Sequence, residues 1–179
     1  MPYAHLSEAI RFAVEKHDGD YRDGDHGLPY CTHPLEVCTL LRYLGGVIDE
    51  ELLCVAVLHD LLEETNTTSA EIDAKFGLRV SLLVSELTRT EPTNEAAAAL
   101  TSDELWLFRS NLLLADILKM SPDAQAVKLA DRLANLRQAK MTRKGEKLRR
   151  YKRQSKKILE IIPKSVNPSL WKAIDGELG

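Results

Sequence analysis

The segment Leu58-His59-Asp60-Leu61-Leu62-Glu63-Glu64-Thr65 puts one imidazole and three carboxylates into six positions, directly after the apolar run Leu52–Leu58. A soluble helix keeps ionisable groups off its buried stripe, because burying an unpaired charge is costly. On a helix His59 and Glu63 stand four apart, Asp60 and Glu63 three, and Asp60 and Glu64 four, so all of them share neighbouring rows of one surface. An apolar helix that turns such a face inward needs a compensating charge, and a divalent cation supplies it.

Two further segments add donors of the right kind. His33 precedes Pro34, which suits the first position of a helix and makes His33 the junction between loop and helix. Asp131 lies in Lys128-Leu129-Ala130-Asp131-Arg132-Leu133-Ala134-Asn135, where Lys128 and Asn135 share its helical face. Together His33, His59, Asp60 and Asp131 offer two imidazoles and two carboxylates, a set that suits Mn²⁺, Fe²⁺ or Zn²⁺ with positions left for water and a substrate oxygen. An all-carboxylate cage would instead suggest calcium or magnesium. Water beside such an ion gives up a proton near neutral pH and can attack a phosphorus or carbonyl centre. Glu63 and Glu64 fall beyond the ligands, where a general acid or base is wanted. An ammonium (Lys128) and an amide (Asn135) beside a ligating carboxylate suit the orientation and neutralisation of a phosphate.

The elements that must position these residues read as helices throughout. Leu6, Ala9, Ile10, Ala13 and Val14 repeat with a helical period up to His17-Asp18-Gly19, and glycines punctuate a loop over 19–32. A helix from Pro34 runs to Gly45-Gly46. Asp49 can cap the helix that carries His59 and Asp60 in its course. Thr68-Ser69-Ala70-Glu71 and Thr101-Ser102-Asp103-Glu104 both fit capping boxes, Ser121-Pro122 is a helix start, and Asn167-Pro168 opens a last short helix. With no strand-period run of any length and no internal repeat, the fold class is all-α, and 179 residues suit one domain over 1–179.

Composition narrows the class. At 44% apolar and 28% charged residues the chain is of ordinary globular make-up. No apolar stretch approaches the roughly 20 residues of a membrane helix, and Met1-Pro2-Tyr3-Ala4-His5 has no signal-peptide pattern, so a cytoplasmic protein is expected. Cys31, Cys38 and Cys54 form no C-x-x-C pair and read as small buried hydrophobes. His5, His17 and His26 lack partners at ligand spacing and read as surface or loop residues. Trp106 and Trp171 lie in apolar stripes and read as core. Charge is uneven: residues 1–139 hold 12 Lys/Arg against 23 Asp/Glu, a net −11, and residues 140–179 hold 12 against 4, a net +8. That basic block reads as a solvated helix face whose Lys140, Arg143, Lys144 and Lys147 can reach phosphates at a pocket rim.

Thr32-His33-Pro34, His59-Asp60-Leu61-Leu62-Glu63-Glu64-Thr65 and the segment Lys128–Asn135 resemble the HD-superfamily metal-dependent phosphohydrolases. The similarity is greatest to the hydrolase domain of RelA/SpoT homologues and the small alarmone hydrolases. It extends to Phe76-Gly77-Leu78-Arg79-Val80 and Glu86-Leu87-Thr88, covering 6–90 and 120–162. The resemblance implies a helical bundle with a metal site in its core and Mn²⁺-dependent removal of the 3′-pyrophosphate from guanosine tetra- and pentaphosphate. It implies His33, His59, Asp60 and Asp131 as metal ligands and Glu63 and Glu64 as the pair that positions or activates water. It also implies that Arg22 stacks on the purine, and that Asn135 and Tyr151 meet the nucleotide. The chain departs from the pattern in having Glu64 where the family has Asp, Asp23 where it has Lys, and only Arg109 near the place of a basic pair within 89–118.

Two alternatives stay open on the residues alone. One is the same chemistry on another nucleotide or phosphorylated small molecule. The other is a non-catalytic nucleotide- or nucleic-acid-binding module, suggested by the basic block, although nucleic acid is not the expected partner. A homo-oligomer is left open too. The division of the acidic cluster into ligands and water-handling groups predicts two phenotypes. Asp60→Ala loses bound metal and activity together, whereas Glu63→Ala loses activity and keeps its metal. Equal metal depletion of both variants by elemental analysis would refute the division.

Overall fold

The computed structural model describes residues 3–22 and 27–179. Asp23 and His26 of the glycine-punctuated loop lie outside the described residues. In chain order the helices are α1 (Ala4–Lys16), α2 (Thr32–Thr39), a π-helical turn (Leu40–Leu44), α3 (Glu50–Leu58), α4 (Leu61–Glu64), α5 (Ser69–Phe76), α6 (Leu78–Leu87), α7 (Asn94–Ala98), α8 (Ser102–Lys119), α9 (Pro122–Thr142), α10 (Gly145–Ile161) and α11 (Pro168–Leu178). Tyr21 and Pro29 form an isolated β-bridge, and no named strand occurs among the described residues. The all-α expectation holds. Among the described residues, no helix is long and apolar enough to cross a membrane.

Two helices carry the centre. In α3 every residue from Leu52 to Leu58 is buried, the pattern of a helix surrounded on all sides. It packs against α1, α2, α6 and α9. α9 buries almost everything from Ala124 to Ala134, including Lys128, Asp131 and Arg132, and packs against α2, α3, α6, α10 and α11. One continuous apolar cluster joins these elements, so the polar groups that follow α3 and those on α9 meet inside it.

Local chemistry sets the helix ends. The Asp49 carboxylate accepts from the Glu51 and Leu52 amides, Ser121 caps α9 with Pro122 behind it, and Thr101 and Glu104 close a full capping box. The box expected at Thr68 forms only by half: Thr68 accepts from the Glu71 amide, but the Glu71 carboxylate turns to Lys16, 3.0 Å away. α2 begins at Thr32, not Pro34, so Pro34 takes the third position. It is still in the first turn, where a missing N–H leaves no intrahelical bond unmade. The cysteines are free, with Cys38 and Cys54 buried and Cys31 half-buried.

The chain leaves α2 through the π turn, where the Gly45 amide donates to the Leu40 carbonyl at 2.9 Å. Asn167 locks this corner to α11: its Nδ2 donates to the Gly45 carbonyl at 2.9 Å and its Oδ1 accepts from the Leu170 amide at 3.1 Å. A Cβ at Gly45 would lie 2.6 Å from the Leu41 carbonyl oxygen and 3.0 Å from Asn167 Nδ2. Gly45→Ala is therefore expected to cost about 1–3 kcal/mol through backbone crowding. The midpoint should fall by roughly 2–4 °C per kcal/mol in a thermal melt, and an unchanged midpoint would show that the corner yields freely.

Candidate active site

α3 ends just short of its chemistry. His59 keeps helical dihedrals, Asp60 drops into the bridge region at φ −109°, ψ −1°, and α4 starts at Leu61. The expectation that His59 and Asp60 lie in the course of one helix is thus corrected: they stand at a break between two. The hydrogen bonds explain it. The Ala56 carbonyl can only accept, so His59 Nδ1, 3.0 Å away, carries the proton. The Asp60 carbonyl receives the Glu63 and Glu64 amides at 3.0 Å each and restarts the helix. With Nδ1 turned to the Ala56 carbonyl, Nε2 faces the interior.

There it meets groups from α2 and α9. Donor atoms of His33, His59 and Asp60 all lie within 4.8 Å of one another. Asp131 Oδ1 lies 3.3 Å from His33 Nε2 and 3.8 Å from His59 Nε2. Its Oδ1 also accepts from the Asn135 amide, and its Oδ2 pairs with Lys128 Nζ at 2.9 Å. Asp60 Oδ2 and His33 Nδ1 are buried with no hydrogen-bond partner. An orphaned buried acceptor is costly, about 1–3 kcal/mol, and an anionic oxygen left open among imidazole nitrogens fits a divalent cation.

The electrostatics agree with that fit. Burial pushes the Asp60 carboxyl upward, but His59, His17 and His33 outweigh it and hold it at about 2. Burial likewise opposes the Asp131 charge, yet Lys128, His33 and His59 hold that carboxyl well below the usual range. Burial lowers His33, which favours the neutral imidazole a cation needs. Both carboxylates are therefore charged at ordinary pH, and burial favours the uncharged form of the His33 imidazole.

These groups line one cavity of about 350 Å³, together with Glu63, Glu64, Lys128, Asn135 and Tyr151. Arg22 does not line it. Its guanidinium donates to Gln138 and sits 5.8 Å from the ring centroid of Tyr30, which does form part of the wall. Glu63 is engaged at both oxygens by Arg89, through the backbone amide at 2.8 Å and Nε at 2.5 Å. Glu64 is 3.6 Å from the same guanidinium and more open. Burial raises the Glu64 carboxyl against the pull of Arg89.

Four residues of the site escaped the sequence reading. His17, expected at the surface, is 2% exposed. Its Nε2 lies 3.3 Å from Asp60 Oδ1 and its ring stacks on Tyr30 at 4.6 Å. The signal was present: Ala9, Ala13 and His17 form one i, i+4, i+8 row, and both alanines are buried. Tyr30 and Arg89 carried no such signal, being placed by loops. Trp106, expected in the core, is half-buried in the cavity wall with Arg150 5.5 Å from its ring; Trp171 is half-buried and packs on the core. Of the rim cations expected from the basic block, Arg143 reaches the cavity, whereas Lys140 pairs with Glu177 at 2.6 Å.

An all-helical bundle that gathers histidines and aspartates from α2, the α3–α4 break and α9 defines the HD class. The HD domain family model matches residues 9–161, and the chain belongs to that family. It is 39% identical over 139 residues to a guanosine-3′,5′-bis(diphosphate) 3′-pyrophosphohydrolase of Xenopus tropicalis, across 76% of this chain and 70% of the relative. The enzyme of the same name from Homo sapiens is 38% identical over 136 residues, 75% of this chain and 69% of the relative. A solved structure described as a metazoan ortholog of SpoT that hydrolyzes ppGpp aligns over 99% of this chain and 95% of its own, with a TM-score of 0.84 and 28% identity.

Because His17 holds one oxygen of Asp60, His17→Ala should weaken divalent-ion binding by about 10-fold. Titration calorimetry with Mn²⁺ on refolded, metal-stripped protein measures this. Affinity equal to that of the parent protein would mean that His17 only fills space.

Proposed function

We propose that this protein is a divalent-metal-dependent phosphohydrolase that removes the 3′-pyrophosphate from guanosine 3′,5′-bis(diphosphate) and the corresponding pentaphosphate, with Mn²⁺ as its ion. The observation that carries this reading is the cavity in which a mixed imidazole–carboxylate donor set, a carboxylate pair and several cations meet, in a chain related across most of its length to enzymes named for that reaction. The cytoplasm is its proposed compartment, in keeping with three unpaired cysteines.

His33, His59, Asp60 and Asp131 would hold the ion, which when bound supplies a Lewis acid for a phosphoryl oxygen and makes a nearby water easier to deprotonate. The remaining work falls to the chain. Lys128, buried beside Asp131, adds positive charge where phosphoryl oxygens gather negative charge. Asn135 fixes Asp131 Oδ1 in place. Glu63 is bound to Arg89 and so holds that guanidinium at the cavity wall, where it can meet a phosphate. Glu64, with its raised and more open carboxyl, is the better placed of the pair to take the proton of the attacking water. Water adds to the phosphorus next to the 3′-oxygen, the bond between them breaks, and the products are pyrophosphate and the nucleoside 5′-diphosphate from the tetraphosphate or 5′-triphosphate from the pentaphosphate, with one proton regained by the 3′-oxygen.

Wild-type protein with Mn²⁺ should release pyrophosphate from guanosine 3′,5′-bis(diphosphate), and Glu64→Gln should lower kcat by about 10²–10⁴-fold while metal content stays at the parent level. Turnover of deoxynucleotide monophosphates or dinucleotides with none of the alarmone would assign the site to a different phosphate ester.

A further inference from the structure

α8 is apolar on two sides and packed on one. Ser110, Leu113 and Ile117 are its buried residues, and Met120 continues their row. Its main neighbour is α10, and the helix also lends Trp106, Arg109, Ser110 and Leu113 to the cavity wall. The outer side carries Leu107, Asn111, Leu114 and Leu118, at intervals of 4, 3 and 4 residues, the spacing of a helix–helix seam. Leu107 is 51% exposed, Phe108 beside it 41% and Leu118 67%. A helix that is apolar nearly all round is ordinarily enclosed, yet the outer row of this one stands open among the described residues.

The open surface continues onto α6. Leu78 and Leu82 are 61% and 56% exposed. They share a row with Ser85, which lines a small cavity with Asp116 and Lys119 near the end of α8. Single exposed leucines need no explanation, but a run of large apolar side chains on two adjoining helices is the kind of patch that marks an interface.

The occupant that fits is a second copy of this chain. α8 has 18 residues and is therefore about 27 Å long. A stable dimer takes about 800 Å² from each partner, more than one helix face offers, and α6 supplies the extra width. The helix is self-complementary when the second copy runs antiparallel and crosses at Asn111. Asn111 then meets its own counterpart, and two carboxamides exchange donor and acceptor. Leu114 meets Phe108 of the second copy, and Lys119 comes to its Asp103 and Glu104, so each helix N-terminus lies beside a C-terminus. Both acids stay exposed while they serve Arg150 and the cap. The parallel arrangement would set Lys119 against Lys119 and Asp103 against Asp103, which like charges oppose. One polar residue in an otherwise apolar seam favours a single register.

We propose that the outer face of α8, widened by Leu78 and Leu82, is a two-fold, antiparallel interface between two copies of this chain. The pairing braces the helix that carries Trp106 and Arg109 at the cavity wall, and it is independent of the reaction assigned to the cavity.

Light scattering behind size exclusion, on the full chain at micromolar concentration, should give twice the 20.1 kDa chain mass. Leu107→Glu and Leu118→Glu place a charge in the seam and should each raise the dimer dissociation constant by about 100-fold or more, with the far-UV spectrum of the parent protein kept. Tyr43→Glu, at an 81% exposed position outside the patch, should leave the mass unchanged. Under mild oxidation Asn111→Cys should cross-link two copies, whereas Leu107→Cys, whose counterpart lies across the crossing point, should cross-link no more than the parent. The cross-links decide the matter if either glutamate variant loses its helical spectrum. A wild-type monomer, a dimer that survives both glutamate variants or falls apart in Tyr43→Glu, or equal cross-linking through positions 107 and 111 overturns the interface.

Discussion

Two buried carboxylates, Asp60 and Asp131, set the terms for the rest of this molecule. Removing a charge from water costs several kcal/mol unless neighbours replace the lost solvation. Here the replacement comes from His17, His33, His59 and Lys128, which hold both acids ionised against their burial. None of those neighbours of Asp60 other than His59 is local. His17 arrives from the end of α1 and His33 from α2, while Lys128 and Asp131 come on α9. The apolar surround of α3 and α9 is what brings them together, and the polar cluster is tolerable only when that packing is complete. Fold and site are therefore one construction.

The break between α3 and α4 follows from the same demand. A straight helix would carry His59 and Asp60 on adjacent rows, pointing about 100° apart. The turn after Leu58 lets His59 spend its Nδ1–H on the Ala56 carbonyl and present Nε2 inward, while Asp60 faces His17. Glu63 and Glu64 are then carried on a new short helix toward Arg89. One acidic run thereby serves two environments: a buried pair with imidazoles and a pair at the wall with a guanidinium.

Arginine is used in two ways along the cavity. Arg89, Arg109 and Arg150 are tied to carboxylates, and ion pairs at or near the surface contribute little to stability. Their value is positional, since they hold loops and side chains at the cavity wall. Arg132 and Arg143 are matched with an aromatic ring instead. The basic character of α10, which as a linear run resembles a nucleic-acid stripe, is reduced by the pairing of Arg149, Arg150 and Arg153 with Glu146.

Much of this could be read from the chain without its fold. Helical periods, the caps at Asp49, Thr101, Ser121 and Asn167, and the donor types of His33, His59, Asp60 and Asp131 are local properties, decided within a few residues by dihedral preference and hydrogen-bond reach. His17 was also legible in principle, through its row with Ala9 and Ala13. The half-formed cap at Thr68 was not, because Glu71 prefers Lys16, far away in the chain. Nor was the exposure of Trp106 to the cavity, the capture of Glu63 by Arg89, or the failure of Arg22 to reach the pocket. The sequence by itself determined the helices and the kinds of chemistry available. Only the tertiary structure decided which charges are paired, which are left open and where the central helix breaks, since ion pairs and side-chain hydrogen bonds act over a few ångströms between segments that the chain order keeps apart.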